Sequence, residues 1–174
     1  MLIKDVRAYI IQNSRGEKTI EVVVNKKYKA SAPSGASRGR HEVAPFPKKG
    51  IEYSVHSLNK GHFQNFSLEE FSDLAVFDPF VPFLGGNTVV ALQTACLRAM
   101  ADGHIAQFLS SRWKFPIPLG NCIGGGAHSK GKGSDIQEFL LVPHASCFAE
   151  RVSLNQSVYD AIRKMTKAKR KTDE

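Results

Sequence analysis

The chain has 174 residues, 42% of them hydrophobic, enough for a packed core, so the composition excludes global disorder. Three cysteines (Cys96, Cys122 and Cys147) are too few and too scattered for a disulfide framework or a CxxC metal site, and their odd number points to a reduced, cytoplasmic protein. The net charge is +8, half of it in the last twelve residues, and no apolar run approaches the roughly 18 residues of a membrane span.

In chain order, residues 2–11 predict a strand in which Val6, Ala8 and Ile10 alternate with Arg7 and Tyr9. "SRGEK" is a turn, "TIEVVV" a second strand with Ile20, Val22 and Val24 on one face, and "YKASA" a third. The expectation is an antiparallel meander. Pro33 to Gly50 is too rich in proline, glycine and small residues for regular structure, and a loop of that length tends to serve function. Helices are expected at 51–59, after a capping box of Ser67 and Glu70, and at 87–111, where Val89, Val90, Leu92, Ala95, Cys96, Ala99 and Met100 recur at helical spacing. "DPFVPFLGG" is expected to break the helix before it. Strands followed by helices make an α+β domain.

"WKFPIPLG" reads as a linker into a second region, with Trp113 packing in the core or at a domain interface. A glycine-rich loop and a strand-like "SDIQEFLLVP" follow, then a helix capped by Ser146 with Phe148, Val152, Val158, Tyr159, Ile162 and Met165 along one side. The basic tail 163–174 is a frayed, solvated helix end. It has no interleaved aromatics, so nucleic acid is not an expected partner.

Gly126 to Lys132 has the spacing of a nucleotide P-loop. Position 133 is glycine where the Mg²⁺-holding hydroxyl belongs, and the residues that follow read as a strand rather than the helix that would face the phosphates. A glycine turn fits better than a nucleotide cradle.

Four motifs then fall in order: Ser14-Arg15-Gly16 with Thr19-Ile20-Glu21-Val22, Pro33 to Gly39, Leu84-Gly85-Gly86-Asn87, and Asn121 to Phe139. Together they resemble enolase (phosphopyruvate hydratase), and "GNCIGGGAHSKGKG" resembles the archaeal members. The sequence departs from the family pattern at Arg38, where threonine is usual, and in "HEVAPFPKKG". The resemblance implies an N-terminal capping domain over residues 1–112, the first strands and a helix of a (β/α) barrel over 113–162, and the basic tail beyond. A complete barrel takes about 250 residues, so the barrel implied here is an incomplete start, and the chain is expected to be a fragment or a short member.

The implied reaction is the glycolytic dehydration of 2-phosphoglycerate to phosphoenolpyruvate, with Mg²⁺ as cofactor. Its three acidic ligands, the base lysine and the proton-donating glutamate lie in later barrel strands. By the same resemblance Ser37 is the loop serine that ligates a second Mg²⁺, His128 approaches the substrate phosphate, Glu138 is the catalytic glutamate near the leaving hydroxyl, and Gln137 is its substrate-site neighbour. Arg15 and Glu21 stand in the hairpin that family members use in dimer contacts. Strand alternation puts Gln137 and Glu138 on opposite faces, and Ile136 and Leu140 on Glu138's face are expected to desolvate its carboxyl and raise its pKa. The chain is not expected to be active alone. Its expected partners are the substrate and a barrel-bearing second chain or further copies of itself. The alternatives are a non-catalytic interaction module of the same fold and, last, a basic nucleic-acid binder.

Overall fold

The computed structural model describes residues 1–32, 34–35, 39–126 and 134–166. The elements run β1 (Val6–Gln12), β2 (Lys18–Val24), β3 (Tyr28–Ser31), α1 (Ile51–Asn59), a 3-10 helix (Phe71–Phe80), α2 (Val81–Leu84), α3 (Gly86–Met100), α4 (Ile105–Leu109), β4 (Gly120–Gly124), β5 (Glu138–Leu141) and α5 (Phe148–Met165). The chain is α+β and divides into two compact units, Met1–Trp113 and Lys114–Glu174.

The first unit holds the expected meander, with β1, β2 and β3 antiparallel in that order. Asn13 closes the first turn, its Oδ1 accepting the amide hydrogens of Arg15 and Glu17, both at 2.9 Å. Asn25 and Lys26 form the second turn with positive φ, 50° and 61°, the backbone a tight two-residue hairpin uses. Ile20, Val22 and Val24 are fully buried, as their alternation requires, and join Val6 and Ala8 on one face. α1 lies against β1, and α3 crosses β2 and β3. α3 places Val89, Leu92, Ala95 and Cys96 into that core. β1 is an edge strand, and Asn59 at the end of α1 satisfies its middle: Ala8 donates to Asn59 Oδ1 at 2.9 Å, and Asn59 Nδ2 returns a bond to the Ala8 carbonyl at 3.1 Å.

Four boundaries differ from the sequence expectation, each for a physical reason. The first strand starts at Val6, because Leu2 forms an isolated bridge with Ser67 and Ile3 bonds the 65–66 backbone. Ser67 pairs with Leu2 and no helix starts directly after it, so it is not a cap. The 3-10 helix begins after Glu70, where the Asp73 carboxylate accepts the amide hydrogens of Glu69 at 2.6 Å and Glu70 at 2.9 Å. It then passes through Asp78-Pro79 rather than breaking there, anchored by fully buried Phe77 among Phe63, Phe66 and nearby Phe80. The long helix ends at Met100, not at 111. Asp102 and Gly103 turn the chain with φ of 43° and 86°, the Gly103 amide closes on the Arg98 carbonyl at 2.9 Å, and Lys27 and Tyr28 hold the Asp102 carboxylate. Trp113 is not a core residue; it is 49% exposed.

The second unit contains the β4–β5 pair and α5. The two strands are antiparallel, whereas consecutive strands of a regular (β/α) barrel run parallel. Only Glu138–Leu141 of the strand-like run forms ladder, and a register shift between Asn121 and Ile123 accompanies a bond from Cys122 Sγ to the Phe139 carbonyl at 2.9 Å. α5 starts at Phe148 with Cys147 at its cap; Ser146 sits one residue earlier and donates its hydroxyl to Glu150 at 2.8 Å. Asn155 reaches back from α5 to the Pro118 carbonyl at 3.2 Å. Among the described residues of this unit only Gly125 is buried, so the apolar side of α5 has no core to enter.

Candidate functional site

Close backbone approach fixes Gly125 in the glycine stretch after β4. Gly125 donates to the Gln137 carbonyl at 2.7 Å and Gly126 to the Ser134 carbonyl at 2.8 Å. A Cβ on Gly125 would lie 2.2 Å from the Ile136 carbonyl oxygen and 2.6 Å from that of Ser134. No side chain fits there, so Gly125 is required by packing of the loop's neck. Gly126 has φ of 57° and faces Gln137.

Gln137 and Glu138 therefore sit together where this neck opens into β5. Gln137 immediately precedes the strand, and Glu138 is its first residue, opposite Gly124. His128 lies outside the described residues, as does Ser37. The expected enclosure of Glu138 is absent among the described residues. Glu138 is exposed, and Ile136 and Leu140 beside it are 55% and 46% exposed, so no apolar wall desolvates the carboxyl. Two strands supply one side of such a pocket at most.

The loop that contains Ser37 is held at its neck by four described contacts. Arg15 Nη2 donates to the Ser34 carbonyl at 2.7 Å and pairs with Glu17 at 3.0 Å. Asn13 and then Arg15 hold the Glu17 carboxyl below its ordinary value. Asn87 Nδ2 donates to Ser34 Oγ at 3.1 Å, and the Asn87 amide bonds the Pro45 carbonyl at 3.1 Å. Gly86 bonds the Ala44 carbonyl at 2.8 Å. Gly85 and Gly86 let the loop come this close, since a Cβ on Gly85 would meet Phe46 Cα and the Pro45 oxygen at 2.4 Å. These anchors were not singled out from the sequence as site-forming, although Arg15, Ser34 and Asn87 all stand in the four motifs.

No three His, Cys, Asp or Glu side chains among the described residues gather to hold a metal. The described residues do not by themselves fit a Mg²⁺ site, which needs convergent oxygen ligands.

A family model described as "Enolase, C-terminal TIM barrel domain" matches residues 112–174. The chain is 37% identical to the enolase of Methanothermobacter thermautotrophicus over 97% of its own length and 45% of that protein's, and 36% identical to the enolase of Methanosphaera stadtmanae over 98% and 46%. The enolase of Archaeoglobus fulgidus is 34% identical over 96% and 45%. The chain belongs to the enolase family. It spans about half the length of the curated relatives it matches. No helix among the described residues is long and apolar enough to cross a membrane.

Proposed function

We propose that this chain contributes the capping domain, two active-site loops and the first barrel strands of a phosphopyruvate hydratase. The reaction removes the C2 proton of 2-phosphoglycerate and expels the C3 hydroxyl as water, leaving phosphoenolpyruvate. Glu138 acts beside the departing hydroxyl, Gln137 lines the same spot, and His128 donates to the substrate phosphate, as an imidazole near neutral pH can. Ser37 would offer one oxygen to a Mg²⁺ ion whose remaining ligands are not among the described residues. The observation that carries the reading is the pairing of Gln137 and Glu138 at the neck of a glycine loop whose close approach excludes any side chain at Gly125.

Residues 1–112 are the capping domain in this reading, 113–162 the barrel start and 163–174 a solvated tail. An enclosing wall for Glu138 has to come from further barrel strands, whether on the same polypeptide or another. The test is to give residues 1–174 Mg²⁺ and 2-phosphoglycerate and follow phosphoenolpyruvate. No turnover is expected; robust turnover would refute the need for further barrel residues.

The second reading, a non-catalytic interaction module, is favoured by one observation. Phe115, Ile117, Leu119, Phe139 and Val152 are all at least 41% exposed, an apolar surface suited to a partner. Light scattering separates the two. A stable monomer that ignores Mg²⁺ and substrate, even when further barrel strands are supplied, supports the module and contradicts the enzyme.

A further inference from the structure

We propose that Asn87 and Arg15 are positioning residues that clamp both ends of the loop carrying Ser37. This inference rests on the reading of Ser37 given above, but the clamp is defined by described residues alone.

Asn87 stands in the first turn of α3 and touches both ends of the excursion between Ser34 and Pro45. Its side-chain amide donates to Ser34 Oγ at 3.1 Å on the entering side, and its backbone amide donates to the Pro45 carbonyl at 3.1 Å on the returning side. One residue thus bonds both sides of the neck. Arg15 adds a separate hold from the tip of the β1–β2 hairpin, through the Ser34 carbonyl at 2.7 Å. Its guanidinium is itself oriented by Glu17, with Nε at 3.2 Å and Nη2 at 3.0 Å from one carboxylate oxygen. Ser34 is therefore gripped at two different atoms by two different elements, three positions before Ser37. α3 is packed into the core by Val89 and Leu92, so the clamp is fixed to a helix anchored in the core. The consequence is that the hairpin tip and the helix start, neither in the loop, set where the loop leaves the domain.

The two grips predict different couplings. Ser34→Ala removes only the acceptor that Asn87 uses, and Asn87→Ala removes only the donor, so these two changes act on one bond. Arg15→Ala acts on the carbonyl, which Ser34→Ala retains. The experiment uses the full chain without Mg²⁺ or substrate, so its outcome is independent of the metal role assigned to Ser37. Opening of the neck is read from hydrogen exchange at the Gly86 amide and from the rate of tryptic cleavage after exposed Arg40, resolved by mass. Exchange at Val22 in the core serves as the global control.

Each single change is expected to raise both neck readouts about fivefold, the size of one ordinary hydrogen bond, with Val22 unmoved. The Ser34→Ala/Asn87→Ala double variant should open no more than either single one, whereas Arg15→Ala should multiply onto Ser34→Ala. Ser34→Thr, which keeps the hydroxyl, should restore the original rates. Unchanged rates in the single variants, or Ser34→Ala and Asn87→Ala effects that simply multiply, would overturn the clamp. If the clamp holds while Ser37→Ala leaves Mg²⁺ response of a completed barrel intact, the metal reading fails and the clamp stands.

Discussion

Replacing Gly85 by alanine tests how closely the Pro45–Phe46 segment is seated on the start of α3. Gly85 has φ of +83° and ψ of 154°, a region open essentially to glycine alone, which costs a residue with a Cβ about 1–3 kcal/mol. The added Cβ would also lie 2.4 Å from Phe46 Cα and 2.4 Å from the Pro45 oxygen. Both are backbone atoms, so no rotamer change relieves the overlap, and forcing the loop away adds about 1–3 kcal/mol. The sum, about 2–6 kcal/mol, is a large share of the roughly 5–15 kcal/mol that holds a typical domain. Gly103→Ala is the control for positive φ without a close neighbour. Its φ is +86°, but nothing lies within 4 Å of its Cβ, so only the backbone term remains. Urea unfolding followed by far-ultraviolet circular dichroism gives both values. If Gly85→Ala costs no more than Gly103→Ala, the loop is not docked at Pro45 and Phe46, and the reasoning about the neck is wrong.

Phe77→Ala should cost about 3–5 kcal/mol, since the ring is fully buried among Phe63 and Phe66; calorimetry showing a loss under 1 kcal/mol would contradict the aromatic core. Burial pushes the Cys96 thiol up to about 12 from 9.0. The stability gained by keeping it neutral is therefore complete below pH 9 and falls as pH rises toward 12, and a Cys96→Ala variant should lack that alkaline slope in a pH series of melts. At neutral pH a thiol reagent should label exposed Cys147 in the folded chain and reach Cys96 only on unfolding; rapid native labelling of Cys96 would count against its placement in the core. Lys27 and then Tyr28 hold the Asp102 carboxyl below its ordinary 3.8. That contribution is present above 3.8 and is lost as pH falls through the lower folded value, so Asp102→Asn should flatten the acid side of the stability curve below about pH 3.8.

The sheet was legible because its signal is local: a period of two in Ile20, Val22 and Val24, and a turn signal in "SRGEK" between the first two strands. The end of α3 was less so. Apolar residues continue past Met100 at helical spacing, but Asp102-Gly103 stops the helix, with Lys27 and Tyr28 holding the Asp102 carboxylate from a turn seventy-odd residues earlier. Ser67 looked like a cap because a serine three before a glutamate often is one; its pairing with Leu2 is long-range and left no mark in the local pattern. At the candidate site, the adjacency of Gln137 and Glu138 follows from sequence, and the need for Gly125 follows from the ladder it abuts. The desolvation of Glu138 did not follow, because it depends on walls that two strands and one helix do not build.

The most direct test of the central claim is a chimera in which residues 1–174 replace the corresponding segment of a full-length archaeal enolase, assayed for conversion of 2-phosphoglycerate to phosphoenolpyruvate. A chimera that melts cooperatively should turn over, and Glu138→Gln in it should lower kcat by at least about a hundredfold, the low end for a lost acid–base group, with its melting temperature unchanged. A well-folded chimera without turnover, or one indifferent to Glu138→Gln, would contradict the account.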